Sequence, residues 1–475
     1  MRWLVTAALL VLVVGPAVAQ QAEQQNMSLV GQDDLQARSA YQPVIQRQGA
    51  RWIAYVGHHG GRRLNPLTGQ VELNGTSIVD VTDPGRPRYL HHIPGAAGEA
   101  EAGGAAMVRV CDGQALPKGD PTKTYLLRTL GNVSHEVWDV SAPEQPKFLT
   151  AVVEGLNHTH KSWWECDTGT AYLVSDGRPA GWRTIRMTKI YDLSDPAQPR
   201  FIRDFGLPGQ EPGATGTAPE GLHGPIAFRD RVYIAYGTGS RGVLQIVDRD
   251  KLVKGDPRSA DRFAPTVENL LYPQIGRLDM APDWGGHTSF PVLGLAVPGW
   301  AGNAAGRVRD MVVLVSESLR NECQEVRQLT FMVDVTDPTK PFPVSTFEVP
   351  ESPGSFCSRG GRFGPHSSSE SFTPIYYGRL VFIAYFNGGV RAVDIRDPFH
   401  PREAGFYIPA VTPKTDQRCV SVGGTPRCKV AIQTNNVEVD DRGYVYIVDR
   451  ADTGMHILEL TGPARAIANF PAKAD

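Results

Sequence analysis

The stretch Thr76–Leu90, TSIVDVTDPGRPRYL, decides how the rest of the chain is read. Ile78 and Val79 are β-branched and favour a strand. Asp83-Pro84 fits the first two positions of a type I turn, with proline at i+1. Pro87 then opens a further strand that must lie at a sheet edge, where a missing N–H needs no partner. The segment reads as the outer hairpin of a sheet.

The same combination returns along the chain. SIVDVTDPGRPRYL is followed by HEVWDVSAPEQPKFL, TKIYDLSDPAQPRFI, LTFMVDVTDPTKPFPV and VRAVDIRDPFHPREA, with weaker copies at LQIVDRDKLVKGDPR and MHILELTGPARAI. The acidic residues fall at Asp80, Asp139, Asp192, Asp248, Asp334, Asp394 and Glu459. Most intervals are roughly 50 to 65 residues, the period of an array whose single unit cannot bury its own face. Before each copy lies another short β-branched and aromatic run: WIAYVG, TYLLRT, AYLVSDG, VYIAYG, MVVLVSE, LVFIAYF and YVYIVDR. Four antiparallel strands per unit and seven units predict an all-β chain, a seven-bladed β-propeller of four-stranded antiparallel blades.

The strand and turn L-x-I-V-D followed by V-S/T-D-P-x-x-P resembles the LVIVD-repeat β-propellers. The resemblance runs from about residue 42 to about residue 471 and is degenerate in the fourth and seventh copies. It implies a propeller and an exported or surface protein, and no single reaction, so function must be sought in the site.

Residues 1–19, MRWLVTAALLVLVVGPAVA, combine Arg2, an apolar run and a small-x-small step, as a secretory signal peptide does. The expected organisation is that signal, an N-terminal extension over 20–41 that adds a strand or tethers the terminus, the propeller over 42–471 and a tail over 472–475. The seventh blade reads as complete through ARAIANF. The mature chain is expected to be periplasmic or secreted, with no membrane contact after signal removal. Export makes the six cysteines disulfide candidates. Cys419 and Cys428 flank a Gly-Pro turn, Cys323 and Cys357 lie in loops of one repeat, and Cys111 with Cys166 remain. A net charge of −2 and the absence of a Lys/Arg cluster argue against nucleic acid.

The repeat is also a coordinate system for histidines. GLNHTHKSWW (His158, His160), EGLHGPIAF (His223), GGHTSFPV (His287) and GPHSSSESF (His366) each stand where a blade's innermost strand begins. Equivalent positions on neighbouring blades meet around the channel mouth. Imidazole is a common transition-metal ligand, so His160, His223, His287 and His366 are the expected metal set. Strand alternation decides between His158 and His160, and the one nearer the strand is preferred. Gln42 and Asn436 occupy the corresponding place in blades one and seven. The turns between second and third strands add His58, His59, Asp176, Glu317, Asn387 and Arg450 on the same face, as substrate or supporting groups. Among them Glu317 and His59 are the candidates for proton transfer. His91, His92, His135, His400 and His456 are read as surface residues.

These residues point to a metal-dependent oxidoreductase, oxidase- or oxygenase-like, with copper or iron favoured over zinc or manganese and a small molecule or glycan as partner. The alternative is a non-catalytic exported binding or scaffold propeller. A second alternative, a metal-dependent polysaccharide lyase or hydrolase, would require cations and phenol near the metal from Arg178, Arg391, Arg450 and Tyr236.

Overall fold

The computed structural model describes residues 20–471 except 301 and 303–305; the expected signal peptide, 1–19, and the expected tail, 472–475, lie outside them. Seven antiparallel blades of four strands follow one another around a channel. Blade one consists of Ala40–Gln48, Arg51–His59, Gly75–Asp80 and Arg88–Pro94. Blades two to five repeat the plan, beginning with inner strands Val108–Asp112, Ser162–Trp164, Leu222–Phe228 and Thr288–Ala296. Blade six begins at Phe363–Ser368 and blade seven at Thr434–Val439.

The opening motif now has its physical explanation. Asp80 Oδ1 accepts from the Thr82 N–H at 2.9 Å, capping the end of the third strand. Asp83 Oδ1 accepts from Gly85 N–H at 3.0 Å, and its carbonyl accepts from Arg86 N–H at 3.0 Å, closing the turn over Pro84. The pair recurs at Asp192/Asp195, Asp334/Asp337 and Asp394/Asp397. In the degenerate fourth copy Asp248 instead caps the helix Arg249–Lys254, accepting from Lys251 N–H.

The turn also seats one blade on the next. A Cβ at Gly276, in the outer strand of blade four, would come within 1.9 Å of Pro338 O in the turn of blade five. Gly31 meets Pro84 O of blade one in the same way, at 2.1 Å. Gly31 therefore marks an outer strand, and that strand comes from the N-terminus.

Met27–Asp33 pairs antiparallel with Met455–Leu460 and supplies the fourth strand of blade seven, so the two ends of the chain close the ring together. Glu23–Gln25 adds a fifth strand to blade six against Arg402–Ile408. This corrects the expectation that blade seven is complete through ARAIANF. Residues Gly462–Ile467 form a helix, because Pro463 stands in its first turn, where a proline starts a helix as readily as it starts a β-turn.

Apolar clusters lie between blades, as with Tyr233, Leu244 and Ile246 of blade four against Val312, Leu314 and Phe331 of blade five. All six cysteines are paired, Cys111–Cys166, Cys323–Cys357 and Cys419–Cys428, with Cα separations of 5.5, 5.4 and 4.0 Å. No helix among the described residues is long and apolar enough to cross a membrane. Burial of histidines is wider than expected. His92, His135 and His456 are buried and correct their reading as surface residues, since third strands and outer strands also turn one side towards a neighbouring blade.

Candidate functional site

Four of the seven inner strands are irregular where the site begins. Register shifts fall between Ala40 and Pro43, Leu222 and Gly224, Phe363 and Ser367, and Thr434 and Asn436. Pro43, Pro225 and Pro365 sit at or beside three of these bulges, consistent with a backbone that cannot donate there. A bulge re-aims side chains, and bulges gather next to functional sites. Here the bulged residues face the channel mouth.

His160, His223, His287 and His366 form an arc with successive ring centroids 4.6, 3.4 and 4.4 Å apart. All four are buried. Tyr41 closes the circle, its ring 5.8 Å from His160, 5.9 Å from His366 and 4.9 Å from His59. Its hydroxyl stands 3.3 Å from His160 Nε2. His158 is exposed, with a left-handed φ of 51°, so His160 is the member of its pair that enters the arc.

Hydrogen bonds fix which nitrogen carries the proton in three of the four rings. His223 Nδ1 donates to the His287 carbonyl at 2.8 Å, and His366 Nδ1 donates to the Asn435 carbonyl at 2.5 Å. Both neutral rings therefore present an Nε2 lone pair. That of His223 is met by His160 Nε2 at 2.8 Å, which must donate. His287 contacts Thr288 Oγ1 through Nδ1, and its Nε2 is buried without any partner. That nitrogen lies 3.7 Å from Glu317 Oε2, while Glu317 Oε1 lies 3.6 Å from His366 Nε2. The three ligand atoms of His287, Glu317 and His366 fall within 4.8 Å of one another. Donors around a transition metal at a bond length of roughly 2.1 Å stand roughly 3 to 3.5 Å apart, so a small contraction converts this set into a coordination face.

The electrostatics favour ligation over acid chemistry. Burial comes first in holding all four imidazoles well below their ordinary pKa, followed by nearby cations and neighbouring rings, so they are neutral at pH 7. Burial also raises the Glu317 carboxyl, against the pull of Arg362 at 2.9 Å and of Arg450. His59 falls to about 3, again through burial and then Arg450, with Nδ1 on Ser39 Oγ at 3.1 Å.

Several expected residues lie elsewhere. His58 turns into blade one, Nε2 on Ser77 Oγ at 2.8 Å. Asp176 is held by Arg178 at 2.7 Å, and Asn387 donates to the Phe356 and Gly360 carbonyls. Gln42 and Asn436 bond each other across the seam of blades one and seven at 2.7 Å. Arg391 pairs with Glu403 and Tyr236 donates to Gln245, both inside blades, so the arginine and tyrosine set of the lyase alternative is not assembled. Residues missed in the sequence are Tyr41, Asn435, Arg362 and Glu101. Arg362 lies four residues before His366 in the strand entry already singled out. Gln42 is the residue expected at this place in blade one, and with the bulge between Ala40 and Pro43 it is Tyr41 that joins the arc.

Beside the arc opens a polar funnel of about 590 Å³, lined by His59, Glu101, Arg362 and Arg450 together with Arg63, Asn321 and Arg418. The hairpin Gln417–Val422/Thr425–Val430, closed by Cys419–Cys428, forms part of its wall and is held by Asn321 Nδ2 on the Cys419 carbonyl.

No family model matches the sequence, and no curated protein matches it. Solved structures with a similar backbone include Raptor from Chaetomium thermophilum (9% identity, TM-score 0.48, 94% of this chain and 30% of that one). Others are Sqt1 from Saccharomyces cerevisiae (9%, 0.45, 91% and 99%) and the β-propeller domain of Cps50 (Swd1) from Myceliophteria thermophila (12%, 0.48, 92% and 100%). At such identities and scores these likenesses carry no functional argument, and the fold stands on the blade order itself.

Proposed function

We propose that this protein is an exported propeller that holds one transition-metal ion at its channel mouth and acts on a small molecule admitted through the funnel. His287, His366 and Glu317 are the primary ligands, with His223 and His160 available to complete the sphere. The observation that carries the reading is the His287 Nε2, a buried nitrogen with no hydrogen-bond partner, facing a carboxylate that also faces His366 Nε2. Two imidazoles and one carboxylate with positions left open suit iron(II), and the additional imidazoles suit copper; both lead to oxidase or oxygenase chemistry. On this reading Glu317 changes role from proton carrier to ligand. The three disulfides fit an oxidising compartment.

A second reading, a binding propeller without chemistry, is favoured by the His160–His223 hydrogen bond, which satisfies two of the four imidazoles without any ion. Metal binding separates the two. Isothermal titration of metal-stripped protein with copper(II) and with iron(II) under anaerobic conditions should give one site per chain. Loss of that site in Glu317→Gln, with the fold retained, supports the ligand set, and no binding by the parent protein overturns it.

A further inference from the structure

The funnel lining carries an unbalanced cation. Arg63 pairs with Asp452 at 2.8 Å, Arg418 with Asp416 at 2.9 Å and Arg362 with Glu317 at 2.9 Å. Arg450 has no carboxylate within ion-pair distance among the described residues. Its Nε donates to Asn435 Oδ1, and its Nη2 makes only a long contact of 3.5 Å with His366 Nε2.

Arg450 and Arg362 share one platform. Their guanidinium carbons lie 5.4 and 5.2 Å from the ring centroid of Phe386, which is fully buried, has a left-handed φ of 45° and stands 5.1 Å from the His366 ring. Stacking on an aromatic face leaves the N–H edges of a guanidinium free for a planar oxyanion. Two half-buried cations held this close together repel, and an anion bridging them relieves that cost. Burial first, then the neighbouring Arg362, lowers the Arg450 pKa to about 10.

We infer that the funnel takes a carboxylate-bearing small molecule, its carboxylate held by Arg450 and Arg362 so that the rest of the molecule lies over His287, His366 and Glu317. An ion on His366 Nε2 would free the Arg450 Nη2 donor for that carboxylate. The inference rests on the metal reading only for what happens at the far end of the molecule; capture of the carboxylate does not require a metal.

The test is calorimetric titration of the folded, mature chain with succinate, in metal-stripped and metal-loaded forms. The parent should bind succinate, Arg450→Gln should weaken binding at least about tenfold and Arg362→Gln several-fold, as expected for charge-assisted bonds. Arg450→Lys should recover part of the loss, and Arg402→Gln, on an outer strand, should leave affinity unchanged. Equal affinity for parent and Arg450→Gln overturns the inference. Inorganic phosphate binding more tightly than succinate, with the same arginine dependence, overturns the carboxylate assignment. Arginine-dependent succinate binding by protein that takes up no metal supports this inference while the metal reading fails; metal uptake without arginine-dependent succinate binding does the reverse.

Discussion

Met27→Ala tests how the ring is closed. Met27 is 1% exposed and packs in the cluster formed by Tyr407, Leu458, Leu460 and Ala464, although it precedes those residues by almost the whole chain. Truncating a buried methionine removes its transfer energy and leaves a cavity, a cost of about 2–4 kcal/mol. Unfolding entropy of about 2 cal/mol/K per residue makes each kcal/mol worth only about 1 °C in a chain of this size, so a melting shift of roughly 3 °C is expected. Denaturant unfolding resolves the same change better, as a lower midpoint at constant slope. Leu29→Ala provides the internal control. Leu29 lies two residues further along the same strand but is 43% exposed, and its truncation should cost less than about 0.5 kcal/mol. Gly31→Val should be at least as damaging as Met27→Ala, because its Cβ meets the Pro84 backbone, which cannot move aside like a side chain. Equal, negligible effects at positions 27, 29 and 31 would refute the closure of blade seven by the N-terminus.

Three further outcomes follow from the same structure. Loss of Cys111–Cys166, with a sequence separation of 55, should cost roughly 4 kcal/mol, against roughly 2.5 kcal/mol for Cys419–Cys428, with a separation of 9, and denaturant midpoints of the serine pairs will show the order. Metal-free protein should lose stability on acidification: burial keeps His135 and His456 at about 4 and His58 well below its ordinary value. Their folded pKa values are depressed, so the unfolded chain binds their protons first, and the stability they confer is full above about pH 6.5 and falls towards pH 4 by about 1.4 kcal/mol per unit for each net proton. The mouth imidazoles carry the same sign; Glu438, raised to about 7, and Asp449, raised to about 6, oppose it, so a flat stability profile between pH 7 and 5 would contradict the burial of these histidines. Glu317→Gln should weaken metal binding at least about tenfold if the carboxylate is a ligand, whereas a proton carrier would leave metal affinity intact and lower only turnover.

The propeller was legible because a strand followed by a proline turn is local chemistry repeated along the chain, with Asp-Pro at Asp83, Asp195, Asp337 and Asp397, each copy readable without its neighbours. Ring closure was not, because Met27–Asp33 reads MSLVGQD, a polar and unremarked run whose partner lies at the other end of the chain. The seventh copy misled for a related reason: TGPARAI matches the repeat in spelling, while its proline opens a helix. The histidine arc was legible from register, since equivalent positions on a ring converge. Tyr41 was hidden by the bulge between Ala40 and Pro43, since a change of strand phase by one residue is enough to exchange the face that Tyr41 and Gln42 present, and Arg362 by its place in the loop before its strand. The proline at that bulge was the available signal.

The most direct test is elemental analysis of the mature protein, purified without a histidine tag, beside a folded His287→Ala/His366→Ala variant. Near-stoichiometric copper or iron in the parent and little in the variant is the predicted result. No metal in either, including after incubation with copper, iron, zinc and manganese, would contradict the metal centre and leave a propeller that binds its ligand without chemistry.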